Sequence, residues 1–229
     1  MAKEDWPYLI GMGADYVSLL TICQNAALRL GLPSLTSIVA STEETAERLY
    51  ALTNVAGKEL SRVHDWSALV KEKTFTTVAA ETQTGTPIAV DFDRFVDETL
   101  WNRTQKRRLI GPLSAQEWAQ QKALSTTVLL DAFRLRGTAS STSPAVPAFL
   151  MIPNPTAGET IAYEYVSSYW VDTDADGDGD ASSFTHDDYT SLLDEEMLTQ
   201  DVTWRYRQSA GLNYAEAFRT AQITIAGRI

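Results

Sequence analysis

The chain is poor in the residues that most enzyme chemistry relies on. It has one cysteine, Cys23, which excludes an intrachain disulfide and a cysteine-based zinc site. Cys23 falls mid-helix on an apolar face, where a thiol acts as a small core residue rather than a nucleophile. Only two histidines occur. His64 sits near a helix end beside Asp65 and Trp66 and reads as a capping or packed residue, and His186 reads as a surface residue. There is no G-x-S-x-G elbow and no H-E-x-x-H pair. Gly11-Met12-Gly13 lacks the third glycine and the preceding strand of a phosphate loop. No apolar run approaches the roughly 20 residues that span a bilayer. The stretch Met1 to Ile10, with Lys3, Glu4, Asp5 and Pro7, has no apolar signal core. Positive charge is scarce: 19 Lys and Arg stand against 30 Asp and Glu, a net charge of −11. A surface that binds nucleic acid without regard to sequence needs the opposite balance. No fixed-period repeat is present. The expectation is a protein without catalysis, resident cofactor or membrane anchor, folded in a cytoplasm.

With 229 residues, 44% of them hydrophobic, the chain is long enough to bury a core without staples. An N-terminal arm, 1–13, carries Trp6, Tyr8, Leu9 and Ile10. A helix is expected over 14–30, with Val17, Leu20, Cys23, Ala27 and Leu30 on one face and Gly31 as its stop. A second is expected over 42–66, opened by a Ser41/Glu44 capping box. It buries Leu49, Leu52, Ala56, Leu60 and Val63 and leaves Glu43, Glu47, Lys58, Glu59 and Arg62 in water. The period then changes. Strands are expected at 74–78, 99–102, 133–137 (exposed), 149–152 and 160–170, with polar turns at Glu81–Thr86, a basic turn at Gln105–Arg108 and a Ser/Thr/Pro loop over 140–147. A short helix follows the Ser114/Glu117 capping box. Helices return over 192–210 and from Asn213 to about 225. The fold class is therefore α+β: a helical bundle from 14–66 and 190–225, a small antiparallel β layer inserted over 73–170, and an acidic loop at 172–183. Residues 14–225 are taken as one domain, with 226–229 as a tail.

Two charged clusters stand out. Asp172, Asp174, Asp176, Asp178 and Asp180 alternate, with Gly177 at the sixth position, like the opening of an EF-hand loop. Hard cations need several carboxylate oxygens from one tight turn, and this spacing offers them to calcium. The twelfth position is Ser183 rather than a bidentate Glu, and a strand rather than a helix precedes the loop. A solvated acidic loop is the simpler reading. Arg103, Lys106, Arg107 and Arg108 form a basic patch in an acidic chain. It fits a charged turn protecting a β edge, a salt bridge to a neighbouring copy, or a phosphate contact. Six tryptophans, several near segment ends, permit an oligomer.

The order of several short motifs resembles the adaptor proteins of tailed-bacteriophage head–tail connectors. The motifs are Arg62-Val-His-Asp65-Trp66, Pro87 through Phe92-Asp93-Arg94-Phe95, and Thr99-Leu-Trp101-Asn-Arg103. They continue with Gly111-Pro112-Leu113-Ser114 and Glu117-Trp118, then Leu193-Asp194-Glu195-Glu196 before Trp204-Arg205, and end with Gly211-Leu-Asn213-Tyr214-Ala215. Together they run from about residue 15 to 225. The aspartate loop and the longer N-terminal arm depart from the pattern. The resemblance implies a virion protein of the head–tail neck, assembled in the bacterial host. Such a protein forms a ring, commonly of twelve copies, between the portal protein and a downstream tail protein. Genome DNA would pass through without sequence-specific binding, helped by an acidic wall. A closed ring needs two different complementary faces per subunit. Arg103, Lys106, Arg107 and Arg108 against Glu43, Glu44 and Glu47 are the candidates, and Ile223, Ile225 and Ile229 are the candidates for docking on the portal. The alternatives are another connector or tail-tube ring (a stopper or nozzle-side protein), a calcium-binding interaction module, and a carboxylate-dependent hydrolase of cell-wall sugar.

Overall fold

The structure is a computed structural model that describes residues 17–124, 131–137 and 146–229. The expected arm, the first turn of the first helix and residues 140–145 of the Ser/Thr/Pro loop lie outside the described residues. In chain order the elements begin with α1 (Leu19–Leu30), α2 (Glu44–Val63) and a 3-10 turn at Ser67–Leu69. Then come β1 (Val70–Thr76), β2 (Phe92–Phe95), β3 (Trp101–Asn102), β4 (Arg107–Arg108) and α3 (Ala115–Ala123). They continue with β5 (Ala132–Arg136), β6 (Ala148–Ile152), β7 (Thr160–Ser167), β8 (Val171–Asp172) and β9 (Thr190–Ser191). The chain closes with α4 (Glu195–Ser209) and α5 (Ala215–Ala226). This is the expected α+β class, and every named ladder is antiparallel.

The expected single domain divides into two compact units, one comprising the described residues up to Gly57 with Val171–Ile229, the other Lys58–Trp170. The boundary therefore falls inside α2, earlier than the expected 66. The reason is local: Leu60 accepts a hydrogen bond from the Trp66 indole (2.7 Å) and Arg62 pairs with Asp93 (3.1 Å), so the last turn of α2 is tied to the strand-bearing unit.

In the helical unit, α1 starts at Leu19 because the Ser18 hydroxyl accepts the Thr21 N–H (3.3 Å). It ends at Gly31, whose φ of 68° lets the chain turn back while Leu32 N–H bonds the Ala27 carbonyl. The buried stripe is Leu19, Ile22, Cys23, Ala26 and Ala27, which keeps Cys23 and Ala27 of the expected face but replaces Val17, Leu20 and Leu30. Both sets keep helical spacing, and only the tertiary partner chooses between them. That partner is α4, which packs on α1. Arg29 grips both carboxylate oxygens of Glu196 at 2.9 and 2.6 Å, and Asn25 donates to Glu195. The α2 residues Ala46, Leu49, Thr53 and Ala56 are buried, and Val63 is exposed, contrary to expectation. Ser41 does not form the expected box: its hydroxyl accepts from Glu43, one residue before the helix. The helix α4 is capped by Asp194, whose carboxylate accepts the Met197 N–H. The helix α5 lies on α4 with Phe218 edge-on to Trp204 at 5.0 Å, and of its residues only Ala221 is buried.

In the strand-bearing unit, β7 is the hub. It pairs with β1, β2 and β3, and β3 pairs with β4. The expected basic turn is thus partly a strand, since Trp101 and Asn102 lie opposite Arg108 and Arg107. The core gathers Phe75, Leu100, Phe133, Phe149, Ile161 and Tyr163, with Phe133 stacked on Phe149 at 5.3 Å. The strand β5 is therefore not the exposed strand expected: Ala132 and Phe133 are buried. The Ser114/Glu117 capping box forms as expected and opens α3.

Candidate functional site

The acidic loop keeps part of its expected geometry. Asp172 is fully buried, and its carboxylate accepts the N–H groups of Asp174 (3.2 Å), Ala175 (2.8 Å) and Gly177 (2.6 Å). These bonds wrap the chain around Asp172 and bring carboxylate oxygens of Asp172, Asp174 and Asp176 within 4.8 Å of one another. Asp176 and neighbouring carboxylates raise the Asp174 pKa by repulsion, and desolvation adds to it. Asp178 and Asp180 stand outside this trio. The Asp178 N–H donates to Asp176, and Asp180 accepts the Thr173 hydroxyl at 2.8 Å. The alternation that suggested five ligands delivers three because the Asp180 and Ala181 N–H groups bond the Val171 carbonyl and turn the chain back.

The basic patch is occupied within its own unit. Arg103 pairs with Glu72 (2.7 Å), Arg107 with Asp131 (3.5 Å) and Arg108 with Glu98 (3.0 Å). Lys106, with φ of 54°, meets no acid among the described residues. The hairpin itself is anchored by the buried Glu159, which accepts from Asn102 (2.7 Å) and Gln105 (2.8 Å). Glu43, Glu44 and Glu47 are exposed at the start of α2, where carboxylates complement the helix dipole, and Glu44 pairs with Arg48 at 2.7 Å. A bridge between these two sets across a subunit boundary would have to displace internal partners at Arg103, Arg107 and Arg108.

At the C-terminus, Ile223 and Ile229 are 62% and 64% exposed, while Ile225 is half-buried. Leu212, Tyr214 and Phe218 add to the same helix region as exposed apolar side chains. His64 stands edge-on to Trp66 at 5.1 Å, and His186 is exposed beside Tyr189. Cys23 is buried, and loss of hydration pushes its thiol up to about 11. These three residues hold the places that sequence gave them.

Sequence reasoning missed a buried polar node in the strand-bearing unit. Asp91 accepts from the hydroxyls of Tyr165 (2.9 Å) and Ser167 (2.7 Å) and lies 3.5 Å from the Lys71 ammonium. Lys71 lies on β1, Tyr165 and Ser167 on β7 and Asp91 in the turn before β2, so no single local spacing announces the node. Ser167 is buried and its hydroxyl is committed to Asp91, which makes the node a brace for β7.

No protein-family model matches this chain, and no curated protein matches it. None of the helices among the described residues is long and apolar enough to cross a membrane.

Proposed function

We propose that the chain is a structural adaptor of a tailed-phage head–tail connector, a non-enzymatic subunit that assembles as a ring beneath a portal protein and joins it to a downstream tail protein. One observation carries most weight. The helix α5 buries only Ala221 and leaves Ile223 largely exposed, as are Leu212 before the helix and Ile229 after it, while Phe218 is only partly covered by Trp204. A chain with a formed core in each unit does not need these apolar side chains exposed, and their burial on a partner would gain about 25 cal/mol per Å². The ordered motifs of the sequence supply the kind of partner, and the α+β arrangement agrees with it. The net charge of −11 suits a wall along which DNA slides without adhering. The test is co-sedimentation with portal protein. The full chain is expected to travel with portal, and a chain lacking residues 225–229 to bind it at least about tenfold more weakly. Equal binding by the two would refute the assignment of the C-terminus to the portal. Binding to a tail protein instead of portal would favour a stopper or nozzle-side role.

A second reading concerns calcium. The convergence of Asp172, Asp174 and Asp176 favours a weak cation site, because three carboxylates this close repel one another and a cation between them would relieve that repulsion. Calorimetry with calcium tests it: heat and a raised melting temperature are expected, and the absence of both dismisses it.

A further inference from the structure

The solvent face of the sheet built on β7 carries a trough of about 360 Å³. Its floor is Trp101, 46% exposed. The indole stays half-exposed because its register partner on β7 is Ala162, too small to cover it, while Arg108 lies opposite it on β4. At one end Glu164 stands beside Thr99, whose hydroxyl accepts the Glu164 N–H. Glu164 also lies directly across the ladder from Glu72, two like charges on one face. Arg103 answers Glu72 at 2.7 Å, whereas the Glu164 carboxylate meets no cation among the described residues. At the other end the hairpin turn brings Lys106 to the rim, where its ammonium meets no acid among the described residues. One unmatched anion and one unmatched cation therefore flank a half-exposed indole.

A patch with this arrangement is complementary to itself. Turned by a two-fold rotation about Trp101, it sets Glu164 of each copy against Lys106 of the other and lays indole on indole. We propose that the trough is a contact between two copies of this chain, related by a two-fold axis through Trp101. A two-fold contact closes on itself and pairs chains; it does not propagate into a ring. The inference therefore goes beyond the connector reading and stands without it.

Sedimentation velocity of the full chain alone, at rising protein concentration in low and high salt, tests the contact. A reversible monomer–dimer equilibrium weakened by salt is expected. Glu164→Lys and Lys106→Glu should each weaken dimerisation by about tenfold or more, because each sets like charges against each other twice. The combined exchange Glu164→Lys with Lys106→Glu should restore it, and Trp101→Ala should weaken it. All these positions are exposed, and unchanged circular dichroism will show that the variants fold. A chain that stays monomeric contradicts the proposal. So does an assembly of any size that both charge reversals leave intact, and so does a double exchange no better than the single ones.

Discussion

Asp187 holds Ile38 in place. Its carboxylate accepts the Ile38 N–H at 3.1 Å, together with the Val39 N–H at 2.8 Å and the Ser37 hydroxyl at 2.6 Å, while its own carbonyl accepts the Leu20 N–H. A single acid thus fixes the connection between α1 and α2 from far along the chain.

That clamp sets an expected acid sensitivity. Partial burial raises the Asp187 pKa, but the hydrogen bonds from Ser37, Val39 and Ile38 outweigh it and hold the carboxyl below its usual range. Glu196 is likewise held low by Arg29. Folding therefore favours the charged forms. Their stabilisation is complete above the unfolded carboxylate range, near pH ~4, and is lost as pH falls through the lower folded values. Thermal melts across acidic pH should show this decline. Asp187→Asn should flatten it and cost about 1–3 kcal/mol near neutrality. A variant with the wild-type pH profile would remove Asp187 from the account.

Gly111 is held by sterics. Its φ is 150°, and a Cβ there would stand 2.4 Å from the Phe133 carbonyl oxygen, which itself accepts the Leu113 N–H. Gly111→Ala must push β5 away from this crossing and is expected to cost more than about 2 kcal/mol. At Gly31 a Cβ meets nothing, so Gly31→Ala carries only the left-handed strain, about 1 kcal/mol. Denaturant melts of the two variants should rank in that order.

Cys23 should be silent. With its thiol raised to about 11 and its side chain buried, it should react with a thiol reagent only when the chain is unfolded. Rapid labelling of the folded protein would contradict the packing of α1.

The parts of the fold visible in the sequence are those set by neighbours along the chain. The Ser114/Glu117 box and the Gly31 stop each need only a few residues, and each forms. The aspartate spacing suggested five converging carboxylates, and the fold brings together three of them, at 172, 174 and 176. What escaped depends on distant partners. Which stripe of α1 is buried depends on α4. Arg103 was free in the sequence and is bound in the fold, because Glu72 is brought to it by pairing of β1 and β3 with β7. The half-exposed indole of Trp101 depends on Ala162 lying opposite, which no spacing reveals.

Removal of residues 225–229 should leave the fold intact. The only ion pair it breaks among the described residues is Arg228 with Asp194 (2.8 Å), whose Arg228 side chain is half-exposed, and Ala221 keeps its place against the core. A melting temperature within a few degrees of wild type is expected; a large drop would make the C-terminus part of the core rather than a docking segment.

The most direct test of the proposed connector role is electron microscopy of the full chain mixed with the proposed partner, a tailed-phage portal protein. A closed ring of this chain beneath the portal is expected, coaxial with the DNA passage, with density for α5 on the portal surface. Portal particles that stay bare at saturating amounts of the chain would contradict it.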